Sequence, residues 1–241
     1  MLSGRIVIKR NGKDEAEKPF WISFADLMSA LMVLFLLVMS VALLAVTKTV
    51  TDAERAKVER ERDIVTLLDK VKQAAAHFPG VSVDKNRNVI DFGDRARFDT
   101  ASHQLNADQA KLLRAFVPEI LTIARDGLGQ KWLKRIVVEG FSDQRGTYLF
   151  NLNLSLQRSQ RVLCVLLAPP LPDETPMQAD EMEQIRELFL VGGYSFNSAK
   201  SSFDESRRIE LRLEFLDIGE KRPSAEGIPR GNFGPCALGS R

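Results

Sequence analysis

The sequence predicts a membrane-anchored α+β protein, and three observations carry that reading. The apolar run from Trp21 to Val46, WISFADLMSALMVLFLLVMSVALLAV, is long enough to cross a bilayer, which takes roughly 20 apolar residues. A highly charged stretch with helical spacing follows it. From Val81 onward, short β-rich runs alternate with amphipathic helical ones in the order β, α, β, α, β, the pattern of helices packed on one sheet as an α/β sandwich.

The span carries one charge, Asp26. An ionised carboxylate at mid-bilayer costs about 2.5–3.5 kcal/mol on insertion scales, so such a group faces a protein partner or a wet cavity and often handles ions. The run exceeds the roughly 7 to 15 residues of a signal h-region, and no clear A-x-A site follows, which argues for a retained anchor. Residues 1–20 and 47–66 each hold five Lys and Arg, so the positive-inside rule leaves orientation open.

After the span, Thr51 and Glu54 form a T-x-x-E capping box and Pro79-Gly80 a stop, which predicts a separate helix from about Asp52 to His77. Its first third is nearly all charged, and its apolar residues recur at helical spacing farther on. Two roles fit: a solvated stalk that pairs with a copy of itself, or a plug beside the membrane.

The sequence VSVDKNRNVIDF then reads as two short strands around a polar turn. Asn106 caps a helix running to about Arg125, interrupted by Pro118. Strands follow at Arg135–Phe141, in LFLVGGY and at Arg207–Phe215, with helices at Ser155–Leu167 and in EMEQIRELF. The Gly- and Pro-bearing tail from Leu216 is expected to have no core of its own.

A formal charge of +2, from Lys+Arg 34 against Asp+Glu 32, offers no reason to propose nucleic acid as a partner. His77, His103, Cys164 and Cys236 lack the close pairing of zinc ligands, and no nucleophile with a nearby base or phosphate loop is evident. No metal, no cofactor and no enzymatic activity are therefore expected. The informative segment is GFSDQRGTYLFNLNLSLQRSQRV, Gly140 to Val162. Asp143 follows a strand and Arg158 lies 15 residues later on the next helix, so packing that helix on the sheet can bring both to one rim. Facing outward together, a carboxylate and a forked guanidinium suit a zwitterion; a structural ion pair is the plain alternative.

Ser142, Asp143, Gly146, Asn151, Leu154, Ser155 and Arg158, with RRIEL at Arg207–Leu211, resemble the motif of the OmpA-like peptidoglycan-binding domain over about Val81–Phe215. That resemblance implies that Asp143 and Arg158 hold the diaminopimelate of the peptide stem, with Phe150, Asn151 and Leu154 shaping the pocket. Phe150 stands where relatives often carry Tyr, and APPLPDETPMQADEM lengthens the connection after the motif helix.

Trp21, Ala25, Asp26, Met28 and Met32 resemble the span of ion-conducting stator subunits of the MotB and PomB type, and the short chain is similar to the ZorB-type branch found in the Zorya antiviral system. The resemblance implies a homodimer of spans inside a pentamer of a ZorA- or MotA-like membrane partner. Asp26 would carry the ion, a proton in preference to sodium. It also implies an inner-membrane location, with a cytoplasmic tail (1–20), a transmembrane helix (21–46), a periplasmic linker or plug helix (47–80), a peptidoglycan-binding domain (81–216) and a C-terminal tail (217–241). A flagellar stator subunit and a passive cell-wall tether are the competing roles. In an oxidising periplasm Cys164 and Cys236 can pair and staple the tail; otherwise Cys164 is a small core residue.

Overall fold

The computed structural model describes residues 18–172, 174–222 and 229–239, and for 18–20 the backbone alone. Most of the predicted cytoplasmic tail, residues 1–17, lies outside them. The chain divides into two units, Met1–Ala56 and Lys57–Arg241. The single described helix apolar and long enough for a membrane, α1 (Lys18–Ala75), starts in the first unit and ends in the second, and exposes every side chain from Trp21 to Val46, Asp26 included. Ser29, Ser40 and Thr47 satisfy their hydroxyls on the carbonyls four residues back, so they add no unpaired polar group to this surface.

No new helix starts at Asp52. Thr51 lies within α1, and its hydroxyl donates to the Thr47 and Lys48 carbonyls at 3.0 and 2.9 Å instead of accepting a cap bond. Because the preceding residues are already helical, there are no orphan amides here for a capping box to satisfy.

The second compact unit, Lys57–Arg241, takes in the end of α1 as well as the residues from Val81 onward. Leu67, Leu68, Val71, Ala74 and Ala75 are buried, and Leu68, Val71 and Ala75 belong to the main core. Asp63 accepts from the Trp132 indole at 2.8 Å and from Lys131 at 2.9 Å, and Arg60 donates to the Leu216 carbonyl at 2.8 Å. The end of this stretch, from Leu67 to Ala75, is therefore packed into the compact unit.

The five-stranded sheet has the order β1 (Ser82–Asp84), β2 (Val89–Asp91), β5 (Ile209–Phe215), β3 (Leu133–Gly140), β4 (Phe189–Gly193). Only β3 and β4 run parallel, as a crossover through helices requires. The crossover consists of α4 (Tyr148–Leu167) and α5 (Ala179–Leu188). The helix α2 (Ala107–Arg125) begins with a reciprocal capping box between Asn106 and Gln109 and buries Leu112, Leu113, Phe116, Val117, Ile120 and Leu121. Short helices α3 (Gly127–Trp132) and α6 (Phe203–Ser206) and a 3-10 turn (Gly93–Ala96) are too brief to have left a periodic signal.

Two glycines set how closely α4 approaches the sheet. Gly140 of β3 and Gly193 of β4 are register partners. A Cβ on Gly140 would meet the Ser155 carbonyl oxygen at 1.9 Å, and one on Gly193 the Leu156 nitrogen at 2.7 Å. The absence of side chains brings α4 directly against the strands, and the Ser155 hydroxyl accepts from the Ser195 amide at 2.9 Å.

The described part of the insertion after α4 is clamped by α2. Arg114 and Glu174, both buried, pair at 3.2 Å, and Arg114 also donates to the Ala168 and Thr175 carbonyls. The described parts of the tail are likewise held: Cys164 and Cys236 form a disulfide with a Cα–Cα distance of 5.3 Å, and buried Arg161 donates to the Leu238 and Gly239 carbonyls. Arg222 reaches the Leu133 and Gly129 carbonyls.

Candidate functional site

Strand β3 ends at Gly140 and the chain turns through Ser142–Thr147 before α4 begins. Thr147 caps α4, its hydroxyl accepting from the Phe150 amide at 3.4 Å, so the helix starts at Tyr148, earlier than the Ser155 expected from its apolar spacing. Buried Asn151 donates to the Arg145 and Thr147 carbonyls at 2.8 and 3.2 Å and fixes the turn, in which Gly146 has φ of 94°.

A cavity of about 190 Å³ opens between this turn and the loop at Thr100–Ala101. Asp143, Phe150, Asn151, Leu154 and Arg158 all line it, so the fold gathers the five residues selected from the motif. Phe150 is half exposed, whereas Leu154 and Asn151 are buried and form its floor.

Arg158 differs from expectation. It is wholly buried rather than outward-facing, and each of its three nitrogens donates to a main-chain carbonyl: Nε to Ser102 at 2.8 Å, Nη1 to Phe141 at 2.7 Å and Nη2 to Asp99 at 3.1 Å. The guanidinium also lies over the Phe98 ring, 4.9 Å from its centroid. Burial, then the neighbouring Arg207, draw its pKa down to about 10, with Asp143 opposing, so it stays charged at neutral pH. The loop that supplies two of these carbonyls bends at Ala101, which has φ of 54°, an uncommon conformation for a residue with a side chain.

Asp143 pairs not with Arg158 but with Arg145 and Arg207. Arg145 Nη2 lies 2.7 Å and Arg207 Nη1 3.1 Å from its Oδ2, and the Arg145 amide and Nε donate to Oδ1 at 3.0 and 3.2 Å. Burial alone would raise the Asp143 carboxyl; the Arg145 side chain and amide, then Arg207, overcome it and hold it at about 2. Arg145 is locally readable two residues after Asp143, whereas Arg207 is 64 positions away and required the fold. Among the described residues, no cluster of three or more His, Cys, Asp or Glu could hold a metal ion.

Residues 8–51 match the family described as membrane MotB of the proton-channel complex MotA/MotB. Over 229 residues, 95% of this chain and 93% of the relative, the sequence is 44% identical to the Zorya protein ZorB of Escherichia coli O139:H28. Among solved structures, the periplasmic domain of MotB superposes with a TM-score of 0.37 at 15% identity, over 54% of this chain and 64% of that one. The cell wall anchor of the T6SS from Pseudomonas aeruginosa gives 0.38 at 19%, over 62% and 97%. Family membership rests on the full-length sequence relationship rather than on these superpositions.

Proposed function

This chain belongs to the Zorya ZorB family, and from that premise we propose that it is the peptidoglycan-anchored subunit of an inner-membrane, proton-driven motor in antiviral defence. The observation that carries the reading is the pairing, in one such chain, of a lone carboxylate in an apolar span with a cavity in the C-terminal unit lined by Asp143, Arg145 and Arg158.

Asp26 is the ion carrier. Protonation removes its charge and most of the cost of a dry position, and deprotonation restores it, so the neighbouring partner surface meets two different side chains in alternation. The transmembrane field supplies about 2.3 kcal/mol per charge per 100 mV. A ring of five ZorA- or MotA-like subunits surrounds a homodimer of spans, with the N-terminus cytoplasmic and the C-terminal domain in the periplasm. That domain grips the diaminopimelate-bearing stem through the cavity at Asp143, Phe150, Asn151, Leu154 and Arg158, and so holds the motor against the wall.

The test is Asp26→Asn. The variant should still co-purify with its multispan partner and lose protection against phage. Full protection by the variant would remove the carrier role, and recovery of the wild-type chain as a dimer without any multispan partner would reduce it to a passive tether.

A further inference from the structure

The charges around Asp143 imply a selectivity that the pocket residues alone do not provide. A second cavity, of about 420 Å³, adjoins the first and shares Thr100 and Arg145 with it as a common wall. It is completed by Ser201, Ser202, Phe203, Asp204 and Arg207. Arg145 stands at the partition: its guanidinium grips Asp143, donates to the Thr100 hydroxyl at 3.2 Å and lies 4.8 Å from the centre of the exposed Phe203 ring. Its side chain remains 48% exposed, so it can move without unpacking the core.

The charged side chains lining the two cavities are Asp143 and Asp204 against Arg145, Arg158 and Arg207. Arg207 spans Asp204 and Asp143, its Nη1 3.1 Å from Asp143 Oδ2, but its side chain is only 12% exposed, and Arg158 is engaged by main-chain carbonyls, which leaves Arg145 as the partner free to move. An ammonium group seeking Asp143 must therefore displace Arg145, and by itself it adds a positive charge to a site already one in excess. A ligand that brings a carboxylate with its ammonium offsets that excess and gives the displaced guanidinium a bidentate partner.

We infer that Arg145 is a specificity-determining latch: it leaves Asp143 when a ligand ammonium arrives and takes a carboxylate of the same ligand at the mouth of the second cavity. The site thereby accepts zwitterionic stem-peptide residues and rejects plain amines. This rests on the peptidoglycan reading above and adds to it a residue outside the five assigned to the pocket.

The full chain in detergent is titrated calorimetrically with diaminopimelic acid and with cadaverine, which has the same two amines separated by five carbons but no carboxylate. The wild type should favour diaminopimelic acid by tenfold or more. In Arg145→Gln cadaverine should bind more tightly than it does to the wild type, and the preference should shrink several-fold. Phe203→Ala, which removes the ring beneath the guanidinium, should move both quantities the same way to a smaller extent. An unchanged preference in Arg145→Gln, in a wild type that pellets with purified sacculi, overturns the latch alone. A wild type that neither pellets with sacculi nor binds diaminopimelic acid overturns the peptidoglycan reading with it.

Discussion

Replacing Asp143 with Asn keeps the shape of the side chain and an oxygen for the Arg145 amide but removes the charge that Arg145 and Arg207 share. The size of the effect follows from the carboxyl's titration. Held at about 2 in the folded chain against 3.8 as its ordinary value, Asp143 contributes on the order of 2 kcal/mol of stability at neutral pH. Because the folded value is the lower one, this stability is present above pH 4 and is lost as the pH falls through 2. Asp143→Asn should therefore be less stable than the wild type by about 2 kcal/mol at pH 7 and nearly equal to it at pH 2. Urea unfolding of the full chain in detergent, followed by the fluorescence of buried Trp132 at a series of pH values, measures the difference. A gap of the same size at pH 7 and pH 2, or no gap at pH 7, would refute the ion-pair account.

Reducing the Cys164–Cys236 disulfide, which spans 72 positions, should cost up to about 4 kcal/mol on chain-entropy grounds, with the C-terminal residues becoming the first site of protease cleavage. Chemical denaturation with and without reductant, together with mass spectrometry of the nicked product, reads both effects. Gly140→Ala should cost about 3 kcal/mol or more, since its Cβ would run into the Ser155 carbonyl and lift α4 from the sheet; a thermal midpoint equal to that of the wild type would contradict the close approach.

The elements with strong local signals were legible: Asn106 opens α2 where its capping chemistry places it, and the motif residues from Asp143 to Arg158 converge on one cavity because β3, a tight turn and α4 are consecutive in the chain. What local pattern could not reveal was competition for partners. T-x-x-E at Thr51 suggests a cap, but the pattern is local and carries no sign that the helix is already under way before it. Local spacing suggests an outward donor at Arg158, whereas the three carbonyls that draw it inward come from two separate segments, at Phe141 and at Asp99 and Ser102. Arg207 and the Arg114–Glu174 clamp join residues 64 and 60 positions apart, so they emerge only from the tertiary fold. Leu68 and Val71 likewise sit in a charged stretch of α1, and their core partners come together only in the folded unit.

The way Lys57–Ala75 is built into the domain has a mechanical consequence. A tether that met its anchor through a loose hinge would stretch before it bore load. Here a pull entering at Lys57 runs along a helix whose later turns are keyed into the core by Leu68, Val71 and Ala75 and cross-tied by Asp63 and Arg60. Those contacts share a pull applied at Lys57 among several side chains, so this end of the compact unit resists extension more than a loose hinge would.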